Sequence, residues 1–181
     1  MKVTPAAIPD VLIIEPHVFA DHRGAFFESH NQKAFDEAIG GAHRFVQDNH
    51  SISARHVLRG LHYQIYHAQA KLVRVVAGEV FDVCVDLRRS SKTFGKWAAA
   101  TLSAENRKQV WVPEGFAHGF LVLSERAEVV YKTTDYYTPG AERTLKWDDP
   151  ALAIQWSLTT PPILSAKDAA GSLLADAELF P

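Results

Sequence analysis

The sequence predicts an all-β protein, a jelly-roll β-barrel, and three observations carry that reading. Short β-branched and apolar runs recur at roughly 8–12-residue spacing. Turn signals rich in Pro, Gly and Asp separate them, as at Pro113-Glu114-Gly115, Pro139-Gly140 and Asp149-Pro150. Helix signals are few. A closed barrel or a double sheet also removes the strand edges that such a chain would otherwise expose. An immunoglobulin-like sandwich fits less well, since its interior is filled and would not need so many inward polar groups.

In chain order, strands are expected at residues 12–16 and 26–29. A helix is expected over 31–39, with Asn31 as N-cap and Gly40-Gly41 as its stop. The stretch holding Arg59, His62 and Gln64 reads as a strand and is followed by the densest β-signal of the chain. There, Val-rich runs at 72–77 and 79–87 flank Gly78 in a hairpin-like pattern. Alternation puts Phe81, Val83, Val85 and Leu87 on one face and Asp82, Cys84 and Asp86 on the other. Carboxylates so placed imply a face turned to solvent or to a polar cavity. Further strands are expected at 97–102, 109–112, 119–123, 128–134 and 153–156, and a short second helix within 165–174, with Ser165 or Asp168 near its start.

The 181 residues are enough for one domain with a substantial core, spanning 1–181. A net charge of −2 argues against a nucleic-acid binder, yet leaves room for a small anionic ligand held by a few local cations. The single Cys84 excludes an intramolecular disulfide and fits a reducing compartment. Residues 1–10 lack the apolar core of a signal peptide, and no apolar run approaches a membrane span. A cytoplasmic location and no membrane partner are the expectations. Repeats and low-complexity linkers are absent.

Chemistry concentrates in Gln47-Asp48-Asn49-His50-Ser51, then Arg59-Gly60-Leu61-His62-Tyr63-Gln64, then Lys71. A lone histidine is more often structural than catalytic. Here, however, Gly60 permits close approach of another group, and an imidazole is the side chain best poised to take a proton near neutral pH. A metal site is the rival. His62 and His118 would be its ligands, and Pro113-Glu114-Gly115-Phe116-Ala117-His118 resembles the second motif of metal-binding cupins. The first motif of those proteins has two His separated by one residue, then a Glu. Here the second His position is Gln64, and Tyr66, His67, Ala68 and Gln69 supply no carboxylate. Two imidazoles with no anionic ligand make a poor divalent site, so no metal is expected.

The other candidates each have a bland alternative. Arg23 and Glu28 follow a turn and suit a solvated loop. Arg59 suits the surface; on an ideal strand it faces away from His62, so a shared site needs a bulge at Gly60 or a neighbouring subunit. Lys71 either snorkels from a strand end or stabilises a developing oxyanion. Tyr131 either packs or acts as an acid. Tyr136 and Tyr137 either stack on a base or brace a turn. Asp168 suits a helix start.

Taken together the segments resemble the dTDP-4-dehydrorhamnose 3,5-epimerases, cupin-type jelly-roll enzymes of dTDP-L-rhamnose biosynthesis, over roughly residues 11–174. The resemblance is carried by the motifs Phe19 to Glu28, Val46 to Ser51, Val57 to Gln64 and Lys71 to Val75. It continues through Gly78 to Val83, Val112 to Phe120, Tyr131 to Tyr137 and Leu164 to Asp168. It implies that His62 is the general base, oriented by Asp168; Asp82, on the polar face of its strand, is a second candidate partner from the residues alone. Tyr131 is then the acid on the opposite ring face, and Lys71 sits by the C4 carbonyl oxygen. Arg23, Glu28, Gln47, Asn49, Arg59, His118, Glu142 and Lys167 match substrate-contact positions, and Tyr137 matches the residue that stacks on thymine. The implied reaction is epimerisation at C3 and C5 of a dTDP-4-keto-6-deoxy sugar through an enolate. Single-site epimerases and ketoisomerases of related sugars are the alternative. The resemblance further implies no metal, no organic cofactor, and a homodimer with exchanged N-terminal strands. One departure is Ala70, where relatives often carry Gly; a positive φ there would cost Ala roughly 1 kcal/mol.

Overall fold

The structure, a computed structural model, describes all of residues 1–181. Two antiparallel sheets face each other. The first has six strands in the order β1 (Lys2–Pro5), β2 (Leu12–Glu15), β10 (Gln109–Val112), β7 (Lys71–Ala77), β12 (Arg126–Thr133), β5 (Gln47–Ala54). The second has five, in the order β13 (Glu142–Thr144), β6 (Leu58–Gln64), β11 (Phe116–Val122), β8 (Glu79–Asp86), β9 (Trp97–Ser103). A separate hairpin pairs β3 (Val18–Asp21) with β4 (Gly24–Phe27). This is the jelly-roll architecture expected from the strand spacing. No helix is long and apolar enough to cross a membrane.

The alternation read along residues 81–87 sorts the two sides of the second sheet. Val80 and Cys84 of β8 point between the sheets, against Val73, Val75, Val110, Val112 and Val129 of the first sheet. Val83, Val85 and Leu87 point outward into a second core, closed by Leu145, Leu152, Trp156 and apolar residues of the C-terminal segment. Burial of these Val, Leu and aromatic side chains, at about 1.5–3 kcal/mol each, supplies the main driving force. The intersheet space is filled by Val and Phe at one end. At the other it stays open, because the inward positions there are polar.

Helix α1 (Gln32–Ile39) begins and ends as expected. The Asn31 side chain accepts from Ala34 N–H, and Gly40 closes it at φ 82°. Phe35 anchors it against Trp111, Leu72 and Ile14. The second helix is short, as expected: α2 covers Ala166–Ala169, capped by Ser165. The chain leaves it because Ser172 N–H bonds Thr144 O at 2.9 Å and Lys146 N–H bonds Ser172 O at 2.8 Å. A Cβ at Gly171 would lie 2.8 Å from the Leu145 backbone. The strand expected at 153–156 does not form. Leu152 N–H and Ala153 N–H both bond Asp149 O, Ala153 has φ 48°, and Trp156 donates its indole N–H to Trp147 O. These apolar residues cap the outer core as a turn. Ala70 is not among the residues with positive φ; His67, φ 53°, takes that turn. The Ala70 backbone instead bonds Thr134 from both its N–H and its carbonyl, so the expected strain is absent.

Strands β6 and β11 approach closely at two glycines. A Cβ on Gly60, φ +123°, would lie 2.6 Å from Gly119 Cα, and one on Gly119 would lie 2.5 Å from Arg59 O. Register runs His118↔His62 and Phe120↔Arg59, so Gly60 and Leu61 together oppose Gly119 alone. The bulge reverses the alternation and turns Arg59 and His62 toward the same cavity.

Candidate active site

The open end of the barrel holds a cavity of about 340 Å³. His62 on β6 lies in its wall, partly exposed, and its Nε2 is 2.5 Å from Oδ1 of buried Asp168. Ser165 positions that carboxylate by accepting Asp168 N–H at the start of α2. Burial opposes ionisation of Asp168, but hydrogen bonds from His62 and Ser165 and the nearby Lys167 hold its carboxyl below the usual range. An ionised carboxylate only accepts. The His62 proton therefore sits on Nε2, and Nδ1 keeps the lone pair. Asp82, the other candidate partner for His62, instead bonds His118: Nε2 to Oδ2 is 2.8 Å, with both groups buried.

Tyr131 enters from the opposite sheet, on β12 between Asn49 and Val73. Burial raises its phenol pKa, with Arg59 acting the other way, so it is a protonated donor at neutral pH. Lys71, 7% exposed, sends Nζ across to His62 O at 3.3 Å. Burial pushes its pKa down to about 8, against the opposing pull of Asp82 and Glu142. Glu142 receives Lys167 Nζ at 2.8 Å and the Tyr137 hydroxyl at 3.0 Å. Burial opposes its ionisation, yet those partners hold its carboxyl below the usual range.

Two amides are fixed by unambiguous donors. Tyr137 N–H bonds Gln47 Oε1 at 3.0 Å, so Gln47 Nε2 faces Asn49 Oδ1 and leaves Asn49 Nδ2 free for a ligand. Thr138 N–H bonds Gln64 Oε1 at 2.7 Å, while Gln64 Nε2 donates to His67 O and Tyr136 O. At the position where metal-binding cupins place a second His, this chain has an amide wholly occupied with bracing the 136–138 loop. Nowhere do three His, Cys, Asp or Glu side chains converge as a metal would require.

The cavity thus gathers Gln47, Asn49, Arg59, His62, Lys71, His118, Tyr131, Tyr137, Glu142 and Lys167, with Asp168 behind His62. It does not gather Arg23 or Glu28. Arg23 is exposed at the β3–β4 turn, bonded to Asp21 at 2.6 Å. Glu28 accepts from Asn31 and borders a different concavity. The sequence reading assigned no role to Ser51 or Gln69, which also line the cavity. Nothing in the sequence marked Ser51, because the strand that carries it is polar on both faces and shows no hydrophobic alternation.

Comparison with known proteins agrees with this geometry. The family model described as dTDP-4-dehydrorhamnose 3,5-epimerase matches residues 5–176. The Pseudomonas aeruginosa dTDP-4-dehydrorhamnose 3,5-epimerase is 62% identical over 181 residues, covering 100% of both chains. The Legionella pneumophila RmlC structure, solved in complex with dTDP-4-keto-L-rhamnose, superposes with a TM-score of 0.95. It is 51% identical, covering 98% of this chain and 94% of that one. ChmJ, a 3'-monoepimerase from Streptomyces bikiniensis in complex with dTDP-quinovose, gives 0.89 at 35% identity, covering 94% and 87%. A cupin-type jelly roll whose mouth holds an imidazole, a phenol and a buried ammonium is, with these likenesses, a carbohydrate isomerase. More particularly, the chain belongs to the dTDP-4-dehydrorhamnose 3,5-epimerase family.

Proposed function

We propose that the chain converts dTDP-4-dehydro-6-deoxy-D-glucose to dTDP-4-dehydro-L-rhamnose, inverting C3 and C5, in dTDP-L-rhamnose biosynthesis. One arrangement carries the reading: His62, backed by Asp168, and Tyr131 line the cavity from opposite sheets, with Lys71 Nζ in the same cavity against His62 O. The C4 ketone acidifies the hydrogens on both neighbouring carbons. His62 Nδ1 takes one, and the charge gathers on the C4 oxygen beside the Lys71 ammonium, where a preorganised cation is worth about 3–4 kcal/mol. Tyr131 returns a proton from the other face. Each inversion leaves an imidazolium and a phenolate, reset by exchange with solvent. The chain itself supplies base, acid and cation, so no cofactor is invoked.

Arg59 supplies forked donors for the diphosphate, and Tyr137, held at the rim by Gln47 and Glu142, stacks on thymine. His118, fixed by Asp82, holds a sugar oxygen. Arg23 and Glu28 act in a homodimer, where the β3–β4 hairpin carries them into the partner's cavity. Phe19 and Phe26, 59% and 69% exposed on that hairpin, support such docking. The reaction takes place in the cytoplasm, consistent with one buried free cysteine. The likeness to ChmJ favours a second reading, epimerisation at one carbon only.

Incubation with dTDP-4-keto-6-deoxyglucose in D₂O, followed by product NMR, separates the two. Deuterium is expected at both C3 and C5; label at one position alone removes the double epimerisation. In the same assay Tyr131→Phe is expected to keep part of the exchange, since His62 still removes protons. Formation of inverted product should fall about 10²-fold. Full retention of epimer formation would rule out Tyr131 as the acid.

A further inference from the structure

We propose that Gly171 is a positioning residue for the reaction: with no side chain there, the segment carrying Asp168 closes on the strand carrying His62, and carboxylate and imidazole meet at 2.5 Å. The proposal rests on the reading of His62 as base given above. It adds a residue that lies outside the cavity and reaches the chemistry only through Asp168.

Helix α2 does not place Asp168 by itself. Its four residues make barely more than one turn, too short to be stable alone. Ala166, Lys167 and Ala169 are exposed, and Asp168 alone is buried. The carboxylate is therefore placed by what pins the segment at its two ends. Ahead of α2, Ile163 N–H bonds His56 O at 2.8 Å and Leu58 N–H bonds Ile163 O at 3.0 Å, at the start of β6. After α2, Ser172 bonds Thr144 O and Lys146 N–H, on either side of Leu145, and Leu145 in turn exchanges both backbone bonds with Leu61. Leu61, Leu145 and Ser172 thus lie side by side as one rung across three chain segments. His62 follows at one end of the rung, and Asp168 stands a helical turn before the other.

The rung closes only because residue 171 is glycine. A Cβ there would lie 2.8 Å from Leu145 C, Leu145 O and Lys146 N. These are backbone atoms of the rung itself: Leu145 O accepts Leu61 N–H at 3.3 Å, and Lys146 N–H donates to Ser172 O at 2.8 Å. They cannot swing aside as the end of a side chain can. Alanine at 171 must therefore push Ser172 outward or drag Leu145 away from Leu61. Either movement opens the distance between Asp168 and His62. Asp168 has a short side chain and cannot follow. Its neighbour Lys167 has a long flexible stem and keeps Glu142, now at 2.8 Å, within reach. A misplacement of about 1 Å in a catalytic group can cost on the order of 10²-fold in rate, so a fraction of that shift is expected to cost about tenfold.

Turnover of dTDP-4-keto-6-deoxyglucose and calorimetric titration with dTDP test this on the full chain, in wild type, Gly171→Ala, Asp168→Asn and the double variant. Gly171→Ala is expected to lower kcat about tenfold and to leave the dTDP Kd unchanged. Added to Asp168→Asn it should cost no further activity, because the carboxylate it displaces is already gone. Unchanged kcat overturns the proposal. So does the same loss in both backgrounds, which would mean that Gly171 acts other than through Asp168. A dTDP Kd that rises as kcat falls would mark general damage to the cavity and overturn it too. Hydrogen exchange in the wild type tests the rung whether or not the variant folds. The Ser172 and Lys146 amides should be as protected as that of Leu145; rapid exchange at Ser172 beside a slow Leu145 also overturns the proposal. Should wild type itself fail to turn over the keto sugar, the proposed function falls and this proposal with it; an active wild type matched by Gly171→Ala removes Gly171 alone.

Discussion

His62→Ala is expected to lower kcat by more than about 10²-fold, the range for loss of an acid–base group, while dTDP still binds. The imidazole has no substitute in the cavity. His118 is the nearest alternative, opposite His62 in register, but its Nε2 is committed to Asp82 at 2.8 Å and the side chain is buried. Glu142 is tied to Lys167 and Tyr137 and held ionised, and an ordinary carboxylate is a weaker base than an imidazole toward a carbon-bound proton. Both C3 and C5 exchange in D₂O should therefore collapse together in His62→Ala. Exchange at one carbon near the wild-type rate would place a second base in the cavity. Asp168→Asn is the companion variant. It keeps the shape of the buried partner but removes the charge that fixes the Nε2 proton and stabilises the imidazolium, so a smaller loss in kcat is expected with the same dTDP affinity.

That dyad also marks how far the sequence could be read. Alternation along 81–87 separated the two faces of β8 because apolar and polar residues there follow a period of two, but which face turned inward was left open between solvent and a polar cavity. Strand β5 gave no such signal: Gln47, Asn49, Ser51 and Ser53 face inward while Asp48, His50 and Ile52 face out, and a strand polar on both faces has no hydrophobic pattern. The polar inward face that hid the strand is what keeps the cavity open. The strand expected at 153–156 failed for the opposite reason. Trp156 is buried and Ile154 half-buried, but against the outside of a finished sheet, where a turn from Asp149 serves as well as a strand. Arg59 and His62 were recognisable as a shared site only if the chain bulged or a second subunit supplied one of them. The paired glycines Gly60 and Gly119, far apart in the chain, make that bulge possible, and their meeting is a tertiary fact. The partner of His62 was likewise open between Asp82 and Asp168 until α2 brought a carboxylate from 106 residues away.

Lys71→Met is expected to leave a protein that is nearly inactive and more stable at neutral pH. The ammonium is buried, and burial alone outweighs Asp82 and Glu142 in setting its pKa near 8 rather than 10.5. At about 1.4 kcal/mol per pKa unit the cost of keeping it charged is on the order of 3 kcal/mol. Met has similar length and no charge. Losing the 3.3 Å bond to His62 O returns roughly 1 kcal/mol of that, so a net gain of about 1–2 kcal/mol and a Tm rise of a few degrees are expected at pH 7. The gain has a defined pH dependence. Below about pH 8 Lys71 is protonated in both folded and unfolded states and the penalty is full. Between about 8 and 10.5 the unfolded chain binds more protons than the folded one, so wild type gains stability as pH rises and the advantage of Met shrinks. Activity follows the opposite logic. The enolate needs the charged form, so wild-type kcat/KM should fall as pH rises through about 8, and Lys71→Met should lose about 10²–10³ in kcat. A variant within tenfold of wild-type kcat would show that the ammonium does not hold the C4 oxygen. A variant less stable at pH 7 would show that the charge is better solvated than its burial implies.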